Sequence, residues 1–188
     1  MKVFNMKDLL LEDNPILREP SELVEMPLSQ DDFETLQEMA AFVMESQTKE
    51  LDANGDKYRP AIGLSAVQLG ILKQMFVIVT TDDDLDLFVM AVVNPRIEKE
   101  SQNLISLTDG EGCLSVQSVD SAKVPRREWV RWSGTLVDLE TGETARKTLS
   151  KIDGYLGVVF QHEYDHLAGV LFTDITNPKI EKEPAENV

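Results

Sequence analysis

Residues 161–166 read Gln-His-Glu-Tyr-Asp-His and contain both histidines of the chain. His162 and His166 stand one helical turn apart with Glu163 beside the first, the pattern H-E-x-x-H. On a helix, imidazoles at i and i+4 share a face and can bind one metal ion, while the glutamate can serve as a base. Two nitrogens do not complete a catalytic metal site, which takes three protein ligands and keeps a further position open for water. The identity of the third ligand therefore selects the chemistry.

A helical wheel over 154–168 places Tyr155, Leu156, Val159, Phe160, His162, Glu163, His166 and Leu167 on one face. Gly157, Gln161, Tyr164, Asp165 and Ala168 take the other, which reads as a polar outer face at Gln161 and Asp165. Glu163 thus lies in an apolar stripe, where an unpaired carboxylate costs several kcal/mol. A dication beside it removes that difficulty. Gly169 is the expected helix stop.

Downstream of the motif, the position six residues beyond His166 is Phe172, which cannot ligate. Glu186 has a suitable spacing but a poor setting, because Pro178 and Pro184 interrupt any helix leading to it. What remains is another carboxylate or Cys113, the one cysteine, in Asp-Gly-Glu-Gly-Cys-Leu-Ser-Val (109–116). A lone cysteine is ordinarily a small buried hydrophobe. Here a site that lacks a ligand and two flanking glycines that permit close backbone approach favour metal binding. One thiolate with two imidazoles suits a borderline-soft divalent ion and leaves a position for water, the arrangement of a hydrolytic site.

These residues need elements to hold them. A helix is expected from about 30 to 49, with Ser29 and Asp32 as an approximate capping box and Phe33, Leu36, Ala40 and Val43 on one face. The segments 75–80 and 87–95 read as strands around a turn at 81–86, and 127–139 as a strand or hairpin before a turn at 138–143. Pro15 and Pro20 mark 13–20 as extended, 51–60 reads as a loop turning at Asn54-Gly55, and 176–188 as a loop or flexible tail. The expected class is α+β, with mixed, mainly antiparallel strands packed around a central metal-binding helix and an N-terminal helix.

With 188 residues the chain suits one domain, 1–188, that buries its core without disulfides. No apolar run is long enough to cross a membrane. The N-terminus reaches acidic residues too early for a secretory leader, so a cytoplasmic location is expected. The net charge of −16 excludes binding driven by nucleic-acid phosphates.

Glu111-Gly-Cys-Leu-Ser115 followed by Gln161–His166 resembles peptide deformylase. The family's first motif, G-φ-G-φ-A-A-x-Q, is matched by Ala-Ile-Gly-Leu-Ser-Ala-Val-Gln (61–68), and 14–18 and 124–126 are also similar. The resemblance spans about residues 10 to 175. It implies one divalent metal on Cys113, His162 and His166, often Fe(II) in the cell, with zinc or nickel able to replace it. It makes Glu163 the acid–base, and the Gln68 amide and Leu114 N–H the oxyanion donors. Substrate backbone would pair near Ile62 and Gly63 and near Glu111 and Gly112, with Tyr155 and Val158 beside the methionine pocket. The implied substrates are N-formylmethionyl nascent peptides, met with at most a transient ribosome contact.

Two positions depart from the motif. If the first requires a positive φ, Ala61 in place of glycine costs about 1 kcal/mol or more. Ser65, in place of the first alanine, brings a hydroxyl that needs a partner if buried. The competing readings are a metallopeptidase with a carboxylate ligand such as Glu186, and a non-catalytic metal-binding module.

Overall fold

The computed structural model describes residues 3–52, 54–81, 87–176 and 186–187. Its frame is a five-stranded antiparallel sheet of β1 (Gly63–Ser65), β2 (Met75–Thr81), β3 (Leu87–Glu100), β6 (Trp129–Val137) and β7 (Thr144–Asp153), in that order. A smaller sheet is ordered β5 (Arg126–Arg127), β4 (Leu104–Ser106), β8 (Glu186–Asn187), with β8 parallel to β4. The helices are α1 (Gln30–Thr48), α2 (Gly154–His166) and the single turn α3 (Phe172–Ile175). This is the α+β architecture expected, and α2 carries the histidine motif.

The run Met-Phe-Val-Ile-Val in β2 is apolar at every position because both faces of the strand are covered. Met75, Val77 and Val79 join Leu36, Met39, Ala40 and Val43 of α1 in one core cluster, while Phe76 and Ile78 join Val159 and Phe160 of α2 in another. The period of two along the strand sends alternate side chains to the two helices. Phe160 anchors the second cluster, with its ring edge-on to Phe76 at 5.2 Å and 5.1 Å from Trp132. The sheet thus lies between α1 and α2, and the far side of α2 is covered by β5 and its surroundings.

That covering corrects the helical wheel. Gln161 is buried, its amide oxygen accepting the Arg127 N–H at 2.9 Å and its nitrogen donating to Arg127 and Gly157 carbonyls. Asp165 pairs with Arg126, and Tyr155, placed by the wheel on the inner face, is 43% exposed. A helix enclosed on two sides has no wholly outer stripe, and periodicity alone cannot count its neighbours. Gly169 does end the helix, at φ +72° with its N–H on the His166 carbonyl.

Ser29 caps α1 by accepting the Asp32 N–H at 3.1 Å. The segment around Pro15 is not extended: Pro15–Arg18 forms one 3-10 turn capped by Asn14. Strand β7 was not anticipated, since none of its residues is buried and its exposed and half-buried positions do not alternate cleanly. The turn between β2 and β3 falls on 82–86, outside the described residues. In the 176–188 tail, Glu186–Asn187 pair with β4 rather than forming loop, and 177–185 and 188 lie outside the described residues.

Candidate active site

Helix α2 presents His162, Glu163 and His166 toward a loop that carries Cys113. Ligating atoms of Cys113, His162 and His166 all lie within 4.8 Å of one another, with Cys113 Sγ 3.4 Å from His166 Nε2. Each of the three is at most 9% exposed. One thiolate and two imidazoles form the donor set of a borderline-soft divalent ion. Burial opposes charge on His162, but Cys113 and the Glu111 carboxylate hold its pKa up at about 10. A cation on Nε2 would answer to the same sulfur and carboxylate. His166 is held neutral, its pKa pushed well below the usual value by burial and by His162, so it keeps a lone pair to donate. The residues present therefore fit a metal.

A buried carboxylate orients the first of these ligands. Glu111 Oε2 lies 2.9 Å from His162 Nδ1, which leaves Nε2 for the cluster. Arg126, 4% exposed, donates to both oxygens of Glu111 at 2.7 and 2.8 Å and also reaches Asp165. Burial alone would raise the Glu111 pKa, but Arg126 and His162 bring it below the ordinary value. Sequence reading assigned Glu111 a backbone contact and Asp165 an outer position, and gave Arg126 no role. The arginine directly after Val124-Pro125, first of the pair Arg126-Arg127 in a chain of net charge −16, was the available signal.

Glu163 stands over β1. It is 3% exposed, and burial raises its carboxyl pKa. Ser65 answers the question of its own hydroxyl: fully buried, it donates to Glu163 Oε2 at 2.7 Å and lies 2.9 Å from the Glu163 carbonyl. The departure at 65 is thus a partner for the glutamate. Ala61 carries no positive φ among the described residues. Its N–H donates to Ser46 Oγ and its carbonyl accepts from Gln47, so the feared strain does not arise.

Gln68 is held end to end. Its Oε1 accepts the Ser65 N–H at 2.9 Å, which turns the Nε2 toward Cys113 Sγ at 3.5 Å and Ser115 Oγ at 3.2 Å. Leu114 is buried, and no acceptor among the described residues takes its N–H. A cleft of about 220 Å³ opens above, lined by Ile62, Gly63, Gln68, Glu111, Gly112, Leu114, Tyr155, Val158, His162 and Glu163 among others. Every site residue read from the sequence therefore lines this cleft or lies in the Cys–His–His cluster under it.

The main chain of the rim is partly committed. The Ile62 carbonyl accepts the Val79 N–H at 2.7 Å, so the Gly63 N–H of the same trans peptide points away from β2, along the free edge of the sheet. Glu111 exchanges both backbone bonds with Ala122, at 2.8 and 3.0 Å, which likewise turns the Gly112 N–H away from Ala122.

The comparisons with known proteins point to one family. The family model described as polypeptide deformylase matches residues 6–182. The chain belongs to this family. A peptide deformylase of Shouchella clausii is 42% identical over 174 residues, covering 92% of this chain and 90% of that one. Peptide deformylase 2 of Bacillus anthracis is 41% identical over 177 residues, covering 93% and 91%. The crystal structure of peptide deformylase from Thermotoga maritima superposes with a TM-score of 0.69 at 25% identity, covering 95% of this chain and all of that one. Polypeptide deformylases are metal-dependent, and the Cys113–His162–His166 cluster could hold the ion here. The family supports neither competing reading. No helix among the described residues is long and apolar enough to cross a membrane.

Proposed function

We propose that this chain hydrolyses the formyl amide of N-formylmethionyl nascent peptides, releasing formate and a peptide with a free N-terminal methionine. One observation carries the assignment of roles: the buried Glu163 carboxyl, Gln68 and Leu114 line one small cleft directly over the Cys–His–His cluster. A divalent ion on Cys113, His162 and His166 would supply Lewis acidity and lower the pKa of water. Fe(II) is the ion proposed for the cell, with zinc or nickel able to occupy a purified sample.

The chain's own residues do the rest. Glu163 accepts a proton from the attacking water and returns it to the leaving amine nitrogen. Burial raises its pKa toward the range in which a carboxyl can do both. Gln68 Nε2 and Leu114 N–H bind the formyl oxygen as it gains charge, a contribution of roughly 3–4 kcal/mol per donor in comparable sites. The Gly63 and Gly112 N–H groups, free of the sheet, pair with substrate backbone, and the edge position of β1 suits an added strand. Ile62, Tyr155 and Val158 shape the pocket for the methionine side chain.

Anaerobic purification, followed by metal analysis and a formate assay on the same sample, tests this reading. One equivalent of metal and formate release from a formyl-Met peptide are expected, and Cys113→Ser should lose both. A metal-loaded sample that releases no formate would overturn it.

Gly63 offers a second check. Its backbone φ is unexceptional, so alanine brings no conformational strain there, but a Cβ would lie 2.7 Å from Glu163 Cδ and 2.8 Å from Cγ. The carboxyl must leave Ser65 to make room. Gly63→Ala should retain metal and lose about 10²-fold in kcat, the cost of misplacing a reacting group by about 1 Å. A kcat equal to wild type would show that Glu163 does not work from this position.

A further inference from the structure

Arg59 stands out as a cation whose guanidinium is spent on three backbone carbonyls. Among the described residues it forms no ion pair, in a chain of net charge −16. Instead it points its guanidinium into the loop that follows Cys113. Nη2 donates to the Cys113 carbonyl at 3.0 Å, and Nη1 to the Leu114 and Val116 carbonyls at 3.1 and 3.2 Å. The loop is otherwise closed by one turn bond, Val116 N–H to Cys113 carbonyl at 3.2 Å.

The planarity of the peptide bond makes this contact consequential. In a trans peptide the C=O and the N–H point in opposite directions. The Cys113 carbonyl and the Leu114 N–H belong to one peptide. A guanidinium that draws the carbonyl outward therefore drives the N–H inward, toward the cleft that Leu114 lines. The same reasoning applies to the next peptide. The Leu114 carbonyl is held by Arg59, which sets the plane leading into Ser115, and the Ser115 hydroxyl is the partner of Gln68 Nε2 at 3.2 Å. A fixed fork of donors can hold neighbouring carbonyls together in a way that a single point charge cannot.

We infer that Arg59 is a positioning residue of deformylation: from behind the Cys113–Val116 loop, it sets the direction of the Leu114 N–H and steadies Gln68 through Ser115. This rests on the roles proposed above for Leu114 and Gln68. The guanidinium touches neither substrate nor metal. Its loss should therefore lower the rate of the chemical step while leaving metal content and substrate affinity in place.

The test compares wild type, Arg59→Ala and Arg59→Lys, each loaded with metal, on a formyl-Met peptide. Arg59→Ala should lose about 10- to 100-fold in kcat, with KM changed by no more than about twofold and metal content unchanged. Arg59→Lys, which keeps the charge and loses the fork, should fall between the two. Added guanidinium chloride, at concentrations well below denaturing, should restore part of the kcat of Arg59→Ala and leave wild type unaffected. A kcat for Arg59→Ala within about threefold of wild type overturns the inference. So does a loss in both variants that follows loss of metal and is not recovered by guanidinium, since Arg59 would then serve folding alone. A metal-loaded wild type that releases no formate would instead overturn the functional reading, and the role of Arg59 with it.

Discussion

Glu163→Gln should bind metal as wild type does and lose about 10²- to 10⁴-fold in kcat, the range associated with a positioned general acid–base. The substitution preserves shape, and the amide oxygen can still accept from the Ser65 hydroxyl that holds Oε2 at 2.7 Å. What disappears is the ability to take and return a proton. Metal content by elemental analysis, measured with kcat on the same sample, separates this from loss of the site. A variant that keeps wild-type kcat would remove Glu163 from the proton path.

The same substitution has a stability signature in the metal-free protein. Burial raises the Glu163 pKa in the folded chain above its unfolded value. The folded state then binds the proton more tightly, so this group costs stability as pH rises from the unfolded pKa through the folded one. Glutamine carries no such cost. Metal-free Glu163→Gln should therefore melt at or above wild type at neutral pH. The difference should vanish below the ordinary carboxylate range, where the wild-type side chain is protonated in both states. Thermal melts across pH read this directly.

Arg126→Leu should cost about 3–5 kcal/mol of stability, the usual result of removing one partner from a buried ion pair. The guanidinium is 4% exposed and satisfies both Glu111 oxygens and Asp165, so its removal leaves two carboxylates without their cation. Glu111 in turn steadies His162 through Nδ1 at 2.9 Å, and loosening that contact should weaken metal binding by about 10- to 100-fold. Denaturant midpoints and competition with a chelator measure the two effects. Unchanged stability together with unchanged metal affinity would show that the Arg126–Glu111 pair does not support His162. Because Arg126 and His162 depress the Glu111 pKa, the pair's contribution is present above the unfolded carboxylate pKa and is lost as pH falls through the lower folded value.

The cap at Ser29, the strands within 75–80 and 87–95, and the stop at Gly169 rest on neighbours a few residues away, and a chain read in order displays such neighbours. The same holds for His162, Glu163 and His166, because helical spacing alone places them together. No local spacing singles out Cys113 against a carboxylate; the family resemblance implies it as the third ligand. By itself, then, the sequence determined the residue types of the candidate metal cluster, the glutamate beside it and the helix that carries the His-Glu-His motif. Tertiary structure decided the supports: Ser65 on Glu163, Arg126 between Glu111 and Asp165, Arg59 behind the Cys113–Val116 loop, and the burial of Gln161. Each of these joins segments far apart in the chain, across 98 residues for Ser65 and Glu163. Periodicity reports which face of an element is apolar. It carries no information about which polar group from a distant segment will lie against that face, and that is settled when the layers close.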